Sequence, residues 1–105
     1  MDDIQSVFHF LNRGVSPWHA AAEACHRLEQ AGCERLDETQ EWKLVPGKRY
    51  FVTRNGSAVL AFRVPEGRIG SWRIALSHSD APTWRIKNAG IEKAGCVKLE
   101  TEGYG

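Results

Sequence analysis

The stretch RYFVTRNGSAVLAFRV, at residues 49–64, decides the fold. Its two ends, residues 49–53 and 58–64, are rich in the β-branched and aromatic side chains that favour strands. Asn55-Gly56 between them is the strongest short signal of a β-hairpin, because a type I′ turn needs positive φ at both central residues. The sequence therefore predicts two antiparallel strands joined by a tight turn.

Two helices are predicted before this hairpin. Residues 2–12 carry apolar side chains at the i, i+3, i+4, i+7 spacing of one helical face, and Gly14 is a suitable stop. The second helix begins at Ser16-Pro17, because serine is a good N-cap and proline fits the first helical position. Gly32 predicts its end near residue 31.

Three further strand-like segments follow the hairpin, and they complete the predicted fold. They are residues 69–77, 84–87 and 96–100. Helix, helix and then about five strands is an α+β pattern with an antiparallel sheet. The length of 105 residues allows one domain at most.

The composition of the chain argues against two classes of partner, nucleic acids and membranes. The chain is 42% hydrophobic and 26% charged, as in an ordinary globular protein. Its net charge of +1 gives no electrostatic footprint for nucleic acid or for an anionic membrane. No apolar run has the length of a membrane span, and the acidic start Met1-Asp2-Asp3 is unlike a signal peptide. We therefore expect a cytoplasmic protein without a nucleic-acid or membrane partner.

The three cysteines predict reduced thiols. An odd number without a secretion signal argues against a disulfide framework. Two interpretations remain: Cys25, Cys33 and Cys96 are small core residues, or Cys25 and Cys33 form a zinc site with His26. The pair lacks the Cys-x-x-Cys spacing of a structural zinc site, which favours the core interpretation.

The candidate site is Ser77-His78-Ser79-Asp80, at the exit of the predicted strand 69–77. A neutral imidazole can bind zinc through one ring nitrogen, and a nearby carboxylate can accept a hydrogen bond from the other. His78 is thus a candidate metal ligand and Asp80 a candidate catalytic or ligand-orienting residue. The alternative is a plain polar turn, which Asp80-Ala81-Pro82 also predicts.

Residues 78–82 and several further blocks of the sequence resemble the aspartyl aminopeptidase family, whose members are two-zinc exopeptidases. His78-Ser79-Asp80-Ala81-Pro82 resembles the family's His-Thr-Asp-Ser-Pro, with Ser79 and Ala81 as departures that affect the substrate side. The other matching blocks occur in the family's order along the chain: Phe10-Leu11-Asn12, Ser16-Pro17-Trp18-His19-Ala20, Ala31-Gly32, Tyr50-Phe51-Val52-Thr53-Arg54-Asn55 and Glu102-Gly103-Tyr104-Gly105.

The resemblance implies a zinc-dependent aminopeptidase that removes amino-terminal, acidic residues from peptides. It places His78 among the zinc ligands and Asp80 beside the metal pair. The family's enzymes are several times longer, so residues 1–105 are expected to be the truncated amino-terminal part of a catalytic domain with a larger α/β zinc-exopeptidase fold. The expected partners are a peptide substrate, the missing carboxy-terminal portion and further copies of the enzyme.

By itself the chain is expected to be inactive and not to retain zinc. Catalytic zinc usually has three protein ligands, and His78 is the one convincing candidate. A second hypothesis is a non-enzymatic α+β domain that acts by self-association or by complementing a separate carboxy-terminal chain.

Overall fold

The two predicted helices are present and pack on each other. The structure, a computed structural model, describes residues 2–79, 81–88 and 90–104. Helix α1 spans Asp3–Arg13 and ends at Gly14, whose N–H donates to the carbonyl oxygen of Phe10 at 2.9 Å. Helix α2 spans Pro17–Gln30, and the Ser16 hydroxyl accepts a hydrogen bond from the backbone N–H of His19. The capping signals therefore placed both helix boundaries within about one residue of where they occur.

A three-stranded sheet packs against α2 and carries the predicted hairpin. Strand β1 (Glu34–Arg35) pairs parallel with β2 (Arg49–Arg54), which pairs antiparallel with β3 (Ala58–Arg63). The strand order is β1-β2-β3, so β3 lies at an edge. Tyr50 and Phe51 on β2 are completely buried and form the centre of the core together with Ala20, Ala21 and Cys25 of α2.

The last third of the chain forms two separate two-stranded ladders. Strand β4 (Thr83–Ile86) pairs with β7 (Thr101–Tyr104), and β5 (Ile91–Lys93) pairs with β6 (Cys96–Lys98), both antiparallel. The α+β class is confirmed, with two helices followed by strands. Within the described residues the strands form three small sheets, and β1 pairs with β2 in parallel, so the prediction of one antiparallel sheet is wrong in these two respects.

The predicted strand at residues 69–77 is wrong. The structure shows no strand there, and these residues have no ladder partner within the described part of the chain. Trp72, Ile74 and Leu76 are 73%, 77% and 93% exposed. Alternating apolar residues favour a strand only where another strand supplies hydrogen bonds and another layer covers the side chains, and neither condition is met here.

The structure contains no helix, within the described residues, of the length and apolarity that a bilayer crossing needs.

Candidate functional site

His78 lies on a cleft between the helices and the hairpin, which we call the His78 cleft. The cleft has a volume of about 420 Å³. One wall is Ser77, His78 and Ser79. Its remaining lining comes from the two helices and the β3 side of the hairpin: Phe10, Ala20, Ala21, Ala24, Ser57, Ala58, Val59 and Ala61.

Helix α2 positions the apolar side of the cleft. Ala20, Ala21 and Ala24 lie at helical i, i+1, i+4 spacing and present only methyl groups to it. Small side chains here keep the space open, since larger ones would fill it. The sequence analysis did not link these alanines to His78; the alanine-rich run at residues 20–24 was the available signal.

The polar side chains that the described residues contribute to the cleft are one imidazole, of His78, and the hydroxyl groups of Ser57, Ser77 and Ser79. Among the described residues that line the cleft, none carries a carboxylate, a guanidinium or an ammonium group. Asp80, the predicted catalytic residue, lies outside the described residues, so its position relative to His78 stays a prediction.

The described residues do not form a metal site by themselves. Within residues 2–79, 81–88 and 90–104, no group of three or more His, Cys, Asp or Glu side chains could hold a metal ion. The imidazole of His78 is therefore a suitable zinc ligand. A catalytic zinc site, however, needs about three protein ligands.

The other histidines have local partners on the helices. His19 Nδ1 lies 2.7 Å from the hydroxyl oxygen of Ser16, and His26 Nε2 lies 3.0 Å from the amide nitrogen of Gln30. His9 Nδ1 lies 3.6 Å from the carboxylate of Glu23. These contacts belong to helix capping and helix packing, so they do not add ligands to His78.

The alternative zinc site of Cys25, His26 and Cys33 is not formed. All three residues are described, and they form no metal-binding group. Cys25 is a buried free thiol whose pKa is raised, chiefly because burial disfavours the thiolate. A protonated thiol is a poor nucleophile and a poor metal ligand, which agrees with a core residue. Cys33 is partly buried, whereas Cys96 is exposed, so the core prediction is wrong for Cys96.

Comparison with known proteins gives a family match over nearly the whole chain. Residues 10–105 match the family described as "Aminopeptidase I zinc metalloprotease (M18)". The "Probable M18 family aminopeptidase 2" of Pseudomonas entomophila (strain L48) is 38% identical over 102 residues, which are 94% of this chain and 24% of that protein. The protein of the same name from Pseudomonas aeruginosa (strain UCBPP-PA14) is 40% identical over 106 residues, with 96% and 24% covered.

Two solved structures each contain a region that is similar to this chain. "Structure of Chaetomium thermophilum mApe1" matches with a TM-score of 0.75 and 30% identity, covering 95% of this chain and 24% of that one. "Cryo-EM structure of the Ape4 and Nbr1 complex" matches with a TM-score of 0.79 and 30% identity, covering 92% and 19%. The chain thus spans about a quarter of the length of the curated relatives that it matches.

Proposed function

We propose, since the chain belongs to the M18 family of zinc metalloproteases, that residues 1–105 form the amino-terminal part of the catalytic domain of a zinc-dependent aminopeptidase. Its substrates are peptides with acidic amino-terminal residues. The observation that supports this proposal is the family match over residues 10–105, which contains the His78-Ser79-Asp80 signature.

In the complete enzyme, His78 would bind zinc through one imidazole nitrogen, and Asp80 would orient that ring or contact the reacting water. Bound zinc supplies Lewis acidity and a water that ionises near neutral pH. The other ligands and the general base come from the part of the family's length that lies outside the match. The complete enzyme is a homo-oligomer and works in the cytoplasm.

The 105-residue chain by itself has neither aminopeptidase activity nor stably bound zinc. The single imidazole in the His78 cleft supports this, because one ligand does not hold zinc tightly. A purified sample is assayed with aspartyl and glutamyl chromogenic substrates before and after chelation. Hydrolysis that disappears on chelation would contradict the proposal of inactivity.

The site assignment is tested in a fused enzyme. In this fusion the chain replaces the matched quarter of the Pseudomonas aeruginosa relative. We expect His78→Ala to abolish turnover and to lower zinc content, because it removes a metal bond. Asp80→Asn keeps zinc better and lowers turnover about 10–100-fold, as expected for loss of a group that orients a ligand.

The matched control is His26→Ala, which removes an exposed histidine of α2 that contacts Gln30. It is expected to leave zinc content and turnover unchanged. Full zinc occupancy and near-normal turnover in His78→Ala would show that His78 is only a turn residue, and would overturn the site assignment. Cleavage of neutral but not acidic amino-terminal residues would contradict the substrate class alone.

The second candidate function is a non-enzymatic domain that acts through association. The exposed apolar side chains of residues 69–77 favour it, because such surface commonly marks an interaction site. A fused enzyme with no activity toward any aminopeptidase substrate, although folded, would favour this candidate.

A further inference from the structure

The helical wall of the His78 cleft continues into an arginine. Phe10 of α1 lines the cleft beside Ala20 and Ala24 of α2. Ala20, Ala24 and Arg27 follow the i, i+4, i+7 spacing of one helical face. Arg27 therefore lies one turn further along the same face of α2 that forms the cleft wall.

The guanidinium group of Arg27 is held by both helices. Its Nε donates to a carboxylate oxygen of Glu23 at 2.9 Å. Its Nη1 donates to the hydroxyl oxygen of Ser6 at 3.0 Å, and its Nη2 donates to the Ser6 carbonyl oxygen at 2.9 Å. The planar, forked guanidinium can make these three bonds together, whereas the compact ammonium group of a lysine cannot reach all three acceptors.

The guanidinium held in this way lies over the ring of Phe10. Cζ of Arg27 is 5.1 Å from the ring centroid, which is within the range of about 6 Å for a cation–π contact. Phe10 is partly buried and lines the cleft. The position of this aromatic part of the cleft wall therefore depends on Arg27.

The segment that carries His78 needs support from the walls around it. Residues 77–79 belong to no helix or strand within the described part of the chain, so side-chain packing has to fix their position. They share the cleft with Phe10. A residue that binds a metal must be held within about 0.5 Å of its productive position by the side chains packed around it.

We propose that Arg27 is a positioning residue for His78: it fixes the ring of Phe10, and the ring limits where the segment 77–79 and its imidazole can lie. This inference rests on the proposed function, since it takes His78 as a zinc ligand. Arg27 itself makes no bond to the metal and acts through Phe10.

The zinc affinity of the fused enzyme tests the proposal without relying on turnover. It is measured by competition with a chelator. Arg27→Lys keeps a positive charge beside Glu23 but loses the fork that joins Glu23 to Ser6. We expect the zinc affinity to fall about tenfold, the lower end of the losses seen when a group that supports a metal ligand is removed. An unchanged zinc affinity would overturn the proposal.

The matched control is Arg13→Lys. Nε of Arg13 lies 2.8 Å from the other carboxylate oxygen of Glu23, whereas the guanidinium over Phe10 is that of Arg27. Both variants weaken a contact of the same carboxylate, so urea midpoints measure their shared effect on stability. We expect the zinc affinity to fall in Arg27→Lys only. Equal zinc affinities in the two variants would mean that Arg27 only stabilises the helix pair, and would contradict the proposal.

A double-mutant cycle tests whether Arg27 acts through Phe10. Phe10→Leu keeps an apolar side chain in the cleft wall but removes the aromatic face under the guanidinium. If the two residues act together, adding Arg27→Lys to Phe10→Leu should change the zinc affinity by less than about twofold, because the effects of coupled residues do not add. A further tenfold loss in that background would show that Arg27 does not act through the ring, and the proposal would be wrong.

Two outcomes separate this inference from the proposed function. A fused enzyme that loses zinc with His78→Ala, but binds zinc equally well with and without Arg27→Lys, contradicts the positioning role alone. A fused enzyme that keeps full zinc occupancy with His78→Ala overturns the site assignment, and the positioning role of Arg27 with it.

Discussion

Glu23 is the residue that attaches α1 to α2. Its side chain is buried, with 5% of the residue exposed. One carboxylate oxygen lies 2.9 Å from Nε of Arg27, and the other lies 2.8 Å from Nε of Arg13. Arg27 also donates to the hydroxyl and carbonyl oxygens of Ser6 on α1. A buried carboxylate with two guanidinium partners is satisfied, so the contact favours one arrangement of the helices.

The charge of Glu23 is maintained by this arrangement. The hydrogen bond from Arg27 lowers the pKa of the Glu23 carboxyl most, burial opposes this, and the positive charge of Arg13 lowers the pKa further. A carboxyl whose pKa is lower in the folded chain stabilises the fold fully above its unfolded pKa, which is about 4.3. That stabilisation is lost as the pH falls through the lower, folded pKa.

Glu23→Gln is therefore expected to lower stability at neutral pH, with the difference from the parent chain shrinking as the pH falls below about 4. Urea unfolding midpoints measured at several pH values check this. Glu29→Gln, at an exposed position on the same helix, should change the midpoint little at any pH. A Glu23→Gln effect that is independent of pH would show that packing, and not the charge, is responsible.

The apolar side of α1 faces away from α2. Ile4, Val7, Phe8 and Leu11 are all more than half exposed, while the polar contacts to Glu23 and Arg27 lie on the inner side. The spacing of these residues predicted the helix and its apolar face correctly. It did not predict that the face would be uncovered, because periodicity shows which residues share a side but not what packs against that side.

At the scale of elements, the hairpin turn has the geometry that its local sequence predicts, and it contacts α2. Asn55 and Gly56 have φ of 53° and 65°, as the type I′ interpretation requires, and Ser57 donates to the carbonyl oxygen of Arg54 at 3.2 Å. A Cβ added to Gly56 would lie 3.4 Å from Cδ1 of Trp18. The dipeptide thus fixes both the turn and its contact with α2.

Gly56→Ala is expected to destabilise the chain by about 1–2 kcal/mol, the cost of holding a residue with a Cβ in the left-handed region. The comparison variant is Gly67→Ala, whose added Cβ meets nothing within 4 Å and whose φ lies outside that region. Chemical denaturation of both variants measures the difference. Equal midpoints would mean that the turn of the parent chain does not constrain residue 56.

The predictions that the structure confirms depend on residues close together in the sequence. The capping signals at Ser16 and Gly32 and the turn at Asn55-Gly56 act within a few residues, and the structure contains all of them. The strand at 69–77 depends on a distant partner, and alternation alone cannot supply one. For the site, the motif could single out His78, but the alanines and the β3 edge that surround it come together only through folding.

At the scale of the whole molecule, the chain is much more extended than its composition suggests. Its radius of gyration is 19.1 Å and its extents are 69 × 37 × 22 Å, whereas a compact domain of about 100 residues has a radius near 13 Å. Composition gives the amount of apolar side chain but not how much of it is buried. Here much of it stays exposed, and exposed apolar surface of this extent commonly marks an interaction site.

The isolated chain is consequently expected to self-associate at tens of micromolar, the range in which exposed apolar surface and open strand edges cause aggregation. Sedimentation or light scattering measures this. Replacing Trp72, Ile74 and Leu76 together with serine should weaken association at least about tenfold, since these three side chains are among the most exposed apolar ones. Arg73→Ser, within the same segment, is the control and should leave association unchanged. A parent chain that stays monomeric, or a triple variant that associates as strongly as the parent, would show that this segment is not an association surface.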